Sequence, residues 1–271
     1  MRLTRAAACA AVLVLLTGCA AGTGSASAGD GSTSARTTVT VAAASDLKFA
    51  LDEISELVAR QHPDIALSTT YGSSGQFVQQ IRNGAPFDIF LSADRALVED
   101  ITADGLADPA DTFDYAIGRL VTWYPNKAPA VAGLAGLTEP SIRTVAIANP
   151  EHAPYGRAAL AALESTGLAS DVRPKLVLGE NVAQAAEFAR TGNADAAIVA
   201  LSLVLADPVR GMGTWTEVPL DAYPRLDQAG TVLKRAEHPQ AARSVREVIT
   251  SPAGRAILAD YGFSLPEGSG G

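Results

Sequence analysis

An α/β protein in two lobes is what the sequence predicts, from three observations. Short apolar runs alternate with segments of helical period, from Thr37 almost to the end of the chain. The alternation occurs as two sets, one from 37 to about 118 and a second from about 119 to 225. Apolar runs repeatedly end in serine, glycine or a polar turn at the point where a helix begins. A strand-helix-strand unit calls for mostly parallel sheets flanked by helices, with ligands held beyond the carboxyl ends of the strands.

The first unit is the clearest. Val39 and Val41 alternate with threonines, three alanines follow, and Ser45-Asp46 opens a segment whose Leu47, Ala50, Leu51, Ile54, Leu57 and Val58 fall on one helical face. Residues 65–71 form a second strand that ends in Gly72-Ser73-Ser74-Gly75, with Phe77, Val78 and Ile81 on the next helix. Residues 87–91 form a third strand, followed by a helix to about Thr102. Residues 115–124 read as one long strand without a polar face, and 130–137 as a short helix. The strand 144–148 runs into Asn149-Pro-Glu-His-Ala-Pro-Tyr-Gly156 and a helix of about 155–166. The strand 175–178 leads through Gly179-Glu-Asn-Val182 to a helix ending near Arg190, and 194–201 is another strand. Residues 230–234 are extended, and 239–249 and 253–261 are closing helices. This tail is too small for a lobe of its own and returns to the first. Lobe I is then 37–118 with 226–266 and lobe II is 119–225, with a cleft between them.

The N-terminus is of another kind. A basic start precedes the apolar run from Ala6 to Leu16, too short to span a bilayer. Residues 1–18 read as a signal peptide. Leu16-Thr-Gly-Cys19 is similar to a bacterial lipobox, which implies a lipid on Cys19. Residues 19–36, rich in Ala, Gly, Ser and Thr, are expected to be a flexible tether, and 267–271 a flexible tail. Removing Arg2 and Arg5 leaves 19 Lys and Arg against 29 Asp and Glu, a net charge of −10. That balance speaks against nucleic acid or an anionic membrane surface as partner. Cys19 is the one cysteine left, so no disulfide can form within the mature chain.

The sequence offers no enzyme signature. Gly72-Ser-Ser-Gly75 lacks the spacing of a nucleophile elbow, and the three histidines have no partner at metal-ligand spacing. Binding is better represented. Ser45, Ser74, Tyr155 and Val182 fall at strand-to-helix junctions, two in each lobe. Helix starts supply unpaired N–H groups and the positive end of a dipole. Such neutral donors can hold an anion, and they favour a fully ionised tetrahedral one, since they cannot accept hydrogen bonds from a protonated ligand as carboxylates can.

These segments, with Ile81 to Asp94, Ser251-Pro-Ala-Gly254 and Tyr261-Gly-Phe263, resemble the periplasmic molybdate-binding protein family, ModA, over essentially all of 37–266. The resemblance implies the type II periplasmic-binding-protein fold and no catalysis or resident cofactor. It implies molybdate or tungstate as ligand and delivery to the membrane permease of an ABC importer; the alternative is another tetrahedral oxyanion, such as sulfate or phosphate. It also assigns hydroxyl donors to Ser45 and Ser74 and backbone donors to Tyr155, Val182 and Asp46, all to oxygens of the ion and none to the molybdenum. Many members carry a tyrosine where this chain has Ala200; in the branch that shares Ala-Leu-Ser here, Tyr155 stands in for it. Ser202 is expected to cap the strand end rather than bind. The protein is expected to act as a monomer.

Overall fold

The computed structural model describes residues 36–126 and 129–266. The signal peptide, Cys19, nearly all of the tether and the 267–271 tail therefore lie outside the described residues.

Two five-stranded sheets carry the fold. In chain order the first elements are β1 (Thr37–Ala44), α1 (Lys48–Gln61), β2 (Ile65–Gly72), α2 (Ser74–Arg82), β3 (Ile89–Ser92), α3 (Arg95–Ala103) and β4 (Ala107–Gly118). Then come β5 (Leu120–Tyr124), β6 (Val145–Ala148), α4 (Pro154–Ser165), α5 (Ala169–Val172), β7 (Leu176–Gly179) and α6 (Val182–Arg190). The chain closes with β8 (Ala196–Ala200), α7 (Leu201–Leu205), β9 (Thr214–Glu217), β10 (Leu226–Leu233), α8 (Pro239–Thr250) and α9 (Pro252–Asp260). The first sheet has the order β2-β1-β3-β10-β4 and the second β7-β6-β8-β5-β9.

The two sheets share one plan. Three parallel strands, β2-β1-β3 and β7-β6-β8, are each extended by two antiparallel ones. The sheets are thus mixed, where strand-helix alternation alone predicted mostly parallel pairing. Every antiparallel pairing between these strands is made by β10 or β5, strands inserted into their sheets that follow the preceding strand with no helix between. Both faces of the first sheet are covered, which explains why β1 is apolar on both sides. Val39, Val41 and Ala43 pack with α1, α8 and α9, while Ala42 and Phe90 pack with α2 and α3. A separate core fills the second sheet, from Leu120 and Trp123 through Ile147 to Ile198.

The structure differs from the sequence reading at instructive places. The apolar run 115–124 is two strands in different sheets, broken at Arg119. Tyr115 to Gly118 belongs to β4 beside β10, and Leu120 onward pairs with β8 and β9. The start of β4 and all of β9 escaped detection because both are edge strands. Edge strands tolerate Pro109 and polar residues and need no alternating apolar face. Residues 130–137 hold no α-helix. A 3-10 turn spans Leu134–Thr138, entered by Gly133 at φ 72°, a conformation open to glycine. The extended segment at 230–234 starts four residues earlier, at Leu226.

Candidate functional site

Four helix starts meet at one small pocket. It is lined by Ala44, Ser45 and Asp46 after β1, by Gly72, Ser73 and Ser74 after β2, by Ala93 after β3, by Ala153, Pro154 and Tyr155 at the start of α4, and by Asn181 and Val182 at the start of α6. The structure therefore brings together all five residues singled out in the sequence. Among the described residues no basic side chain lines the pocket. The donors it offers an anion are hydroxyls and backbone N–H groups, because the first-turn N–H groups of a helix have no acceptor within it.

Each junction is built locally. Ser45 opens a 3-10 turn, Ser45–Leu47, that feeds α1, so it begins the helical segment instead of capping an α-helix as its sequence position suggested. Ser73, extended at φ −85°, ψ 133°, is the N-cap of α2, and Ser74 is its first residue. Pro154 occupies the first turn of α4, where its missing N–H costs no hydrogen bond. Asn181 caps α6 by accepting from Gln184 N–H at 3.0 Å, leaving Val182 as the first helical residue.

Hydrogen bonding separates the serines. Ser74 Oγ accepts from Ala93 N–H (3.1 Å), and Ser45 Oγ accepts from Ala183 N–H of α6 (3.2 Å). A hydroxyl has one hydrogen to donate and two lone pairs. Accepting a backbone N–H fixes each oxygen and keeps its hydrogen for another acceptor. Ser73 differs, since its hydroxyl donates to the His152 carbonyl at 2.6 Å.

The two halves of the pocket are tied across the cleft. Gly75 N–H donates to the same His152 carbonyl (3.0 Å), and His152 Nδ1 lies 2.9 Å from Ser73 Oγ. Gln76 Nε2 donates to Glu180 (2.9 Å), and Arg157 pairs with Asp94 at 2.7 Å. Ser202 takes part as well. Expected as a strand-end cap, it lies in α7 and donates to the Asp46 carbonyl at 2.7 Å, joining the two sheets' elements.

Tyr155 is fully buried, and its hydroxyl accepts from Gln228 Nε2 of β10 at 3.3 Å. Gln228 also donates to Asp46 Oδ2 at 2.6 Å. This polar knot sits against Gly118, next to the β4–β5 crossover. A Cβ on Gly118 would lie 2.3 Å from the Tyr155 hydroxyl and 2.7 Å from Gln228 Nε2, so only glycine leaves room. Sequence reasoning missed Gln228, although a glutamine inside an apolar strand that is buried on both faces is itself a signal. Burial raises the Asp46 carboxyl to about pKa 6, against the donors Gln228 and Tyr155 that lower it. Burial, with the nearby Asp46 charge, lifts the Tyr155 hydroxyl well above its ordinary value.

A larger cleft of about 610 Å³ adjoins the pocket through Ser45 and Asn181, and Lys48, Phe49, Tyr71, Trp123 and Arg190 line it. Among the described residues no group of histidine, cysteine and carboxylate side chains is placed to hold a metal ion. The arrangement is suited to gripping a small anion between two lobes.

Two sheets, two lobes and an anion-sized pocket at converging helix starts define the class of two-lobed solute-binding proteins. Residues 39–264 match the family described as bacterial extracellular solute-binding protein. The chain is 38% identical to the molybdate-binding protein ModA of Rhodobacter capsulatus, over 71% of this chain and 75% of that protein. It is 36% identical to ModA of Azotobacter vinelandii, over 73% and 78%. The solved structure of the A. vinelandii periplasmic molybdate-binding protein superposes with a TM-score of 0.80, at 30% identity, covering 84% of this chain and all of that one. The chain belongs to the ModA family of solute-binding proteins and is not an enzyme.

Proposed function

We propose that the protein captures molybdate outside the cytoplasm and delivers it to the membrane permease of an ABC importer, with tungstate as a second ligand. The observation that carries this reading is the pocket, where four helix starts and two serine hydroxyls with hydrogens to donate converge from both halves of the molecule. Family membership supports the same ligand. Ser45 and Ser74 donate from lobe I (37–118 with 226–266), and the N–H groups of Tyr155 and Val182 donate from lobe II (119–225). The Asp46 N–H adds a fifth donor. All reach oxygens of the ion, and the molybdenum has no protein ligand. The protein acts as a monomer, because one chain supplies every donor.

Ligand choice is tested by thermal unfolding of the purified protein. Molybdate at a hundred times its dissociation constant stabilises the native state by about 2.7 kcal/mol through mass action. Sulfate or phosphate at the same concentration gives a much smaller shift. An equal shift with sulfate makes the protein a general binder of tetrahedral oxyanions instead.

The reading includes attachment to the outer face of the cell membrane through lipid on Cys19, supported by the Leu16-Thr-Gly-Cys19 sequence. Several acyl chains anchor a protein stably where one does not. Cys19→Ala releases the protein to the soluble fraction or blocks its processing. Unchanged membrane fractionation of that variant contradicts the anchor.

A further inference from the structure

Behind the pocket lies a group of polar side chains that anion donation alone does not explain. Asp46, Gln228 and Tyr155 are each at most 2% exposed. Gln228 Nε2 serves both Asp46 Oδ2 and the Tyr155 hydroxyl. Yet Asp46 Oδ1 and Gln228 Oε1, both buried, have no hydrogen-bond partner. Buried polar atoms are nearly always satisfied, and a charged one left unpaired is the most costly case. The cluster has one donor too few. A proton on Asp46 supplies that donor, turning an orphaned carboxylate oxygen into a hydroxyl and removing a buried charge.

The position makes this consequential. Asp46 lines the pocket next to Ser45, and its backbone is held by Ser202 from across the cleft. Resting on the oxyanion reading of that pocket, we propose that Asp46 is a positioning residue whose carboxyl takes up a proton when the anion binds, so that capture of the dianion is coupled to protonation. Like charges in one water-poor site repel, and of the two groups the carboxyl is the one that can be neutralised. Other titratable groups facing it are Tyr155 from α4 and Tyr115 from β4. Burial lifts both well above their ordinary value, so both stay neutral throughout. Lys48, Glu187 and Arg190 face the larger cleft on the far side of Ser45. With its carboxyl raised by burial to about 6, Asp46 in the unliganded protein is mostly ionised at neutral pH. Binding must then draw a proton from solution, and affinity falls as pH rises.

The test is calorimetry of the purified protein with molybdate between pH 6.5 and 8.5, where molybdate stays a dianion, in buffers of different ionisation enthalpy. Wild type is expected to take up close to one proton per anion and to lose about tenfold in affinity per pH unit above neutrality. Asp46→Asn keeps the shape, carries no charge and brings an N–H₂ donor to a cluster that is one donor short. It is expected to take up no proton, to show a flat profile and to bind more tightly than wild type at pH 8.5. Wild type that binds molybdate with no proton uptake overturns the proposal and leaves the oxyanion reading standing. Wild type that binds neither molybdate nor sulfate at any pH overturns the oxyanion reading and this proposal with it. Proton uptake is read on the wild-type chain, so the result stands even if the variant folds poorly.

Discussion

Ser74→Ala and Ser45→Ala are each expected to weaken molybdate binding about ten- to a hundredfold. A hydrogen bond to a charged group contributes roughly 1.5–3 kcal/mol, and every 1.4 kcal/mol is a factor of ten in affinity. Both oxygens already accept a backbone N–H, Ala93 for Ser74 and Ala183 for Ser45, so their hydrogens are free for the ion. Losing the hydroxyl removes that donor and leaves an oxygen of the ion unpaired in a buried site. The two changes also differ in an informative way. Ser74 and Ala93 lie in the same lobe, whereas the Ser45–Ala183 bond crosses the cleft. Ser45→Ala should therefore cost some closure as well as a donor. Ser73→Ala separates the two effects, because its hydrogen goes to His152 across the cleft and not to the pocket, so it should cost some closure and no donor. Titration calorimetry decides. Full affinity in both Ser74→Ala and Ser45→Ala excludes these hydroxyls as ligands.

The candidate donors were legible because each is a local event. A strand that ends in Ala-Ala-Ala-Ser45, a Gly-Ser-Ser-Gly turn and an Asn before Val182 are visible as sequence neighbours. Strand-helix alternation likewise exposed the parallel halves of both sheets. What stayed hidden depends on partners remote in sequence. Residues 107–114 become a strand only because β10 pairs with them, 115 or more residues later. The break at Arg119 is silent in composition, because Tyr115 to Tyr124 is apolar whichever sheet receives it. The Asp46–Gln228–Tyr155 knot joins residues 182 and 73 positions apart. Ser202 drew its expected capping role from its immediate neighbours, and its acceptor is 156 residues away. Periodicity reports the face an element buries and says little about which polar group it will meet there.

Gly75→Ala is expected to impair binding without touching a single donor. A Cβ on Gly75 would lie 2.5 Å from the His152 carbonyl oxygen and 3.1 Å from its Cα. Both are backbone atoms, so no side-chain rotation relieves the clash. Gly75 stands in the first turn of α2 and His152 in the loop before α4, on opposite sides of the cleft. Each lobe can therefore fold normally with alanine present, and only the approach of the two is obstructed. Overpacking of this kind costs roughly 1–3 kcal/mol. Charged to the closed state alone, it lowers the population competent to grip the ion and weakens apparent affinity by about five- to a hundredfold. Wild type should contract on adding molybdate as the lobes close over the ion. The variant should need correspondingly more ligand to reach the same radius of gyration by small-angle scattering, while its ligand-free thermal stability stays near wild type. Wild-type affinity together with wild-type contraction in Gly75→Ala means that the lobes need not meet at His152 to hold the anion, and the bridging mechanism fails.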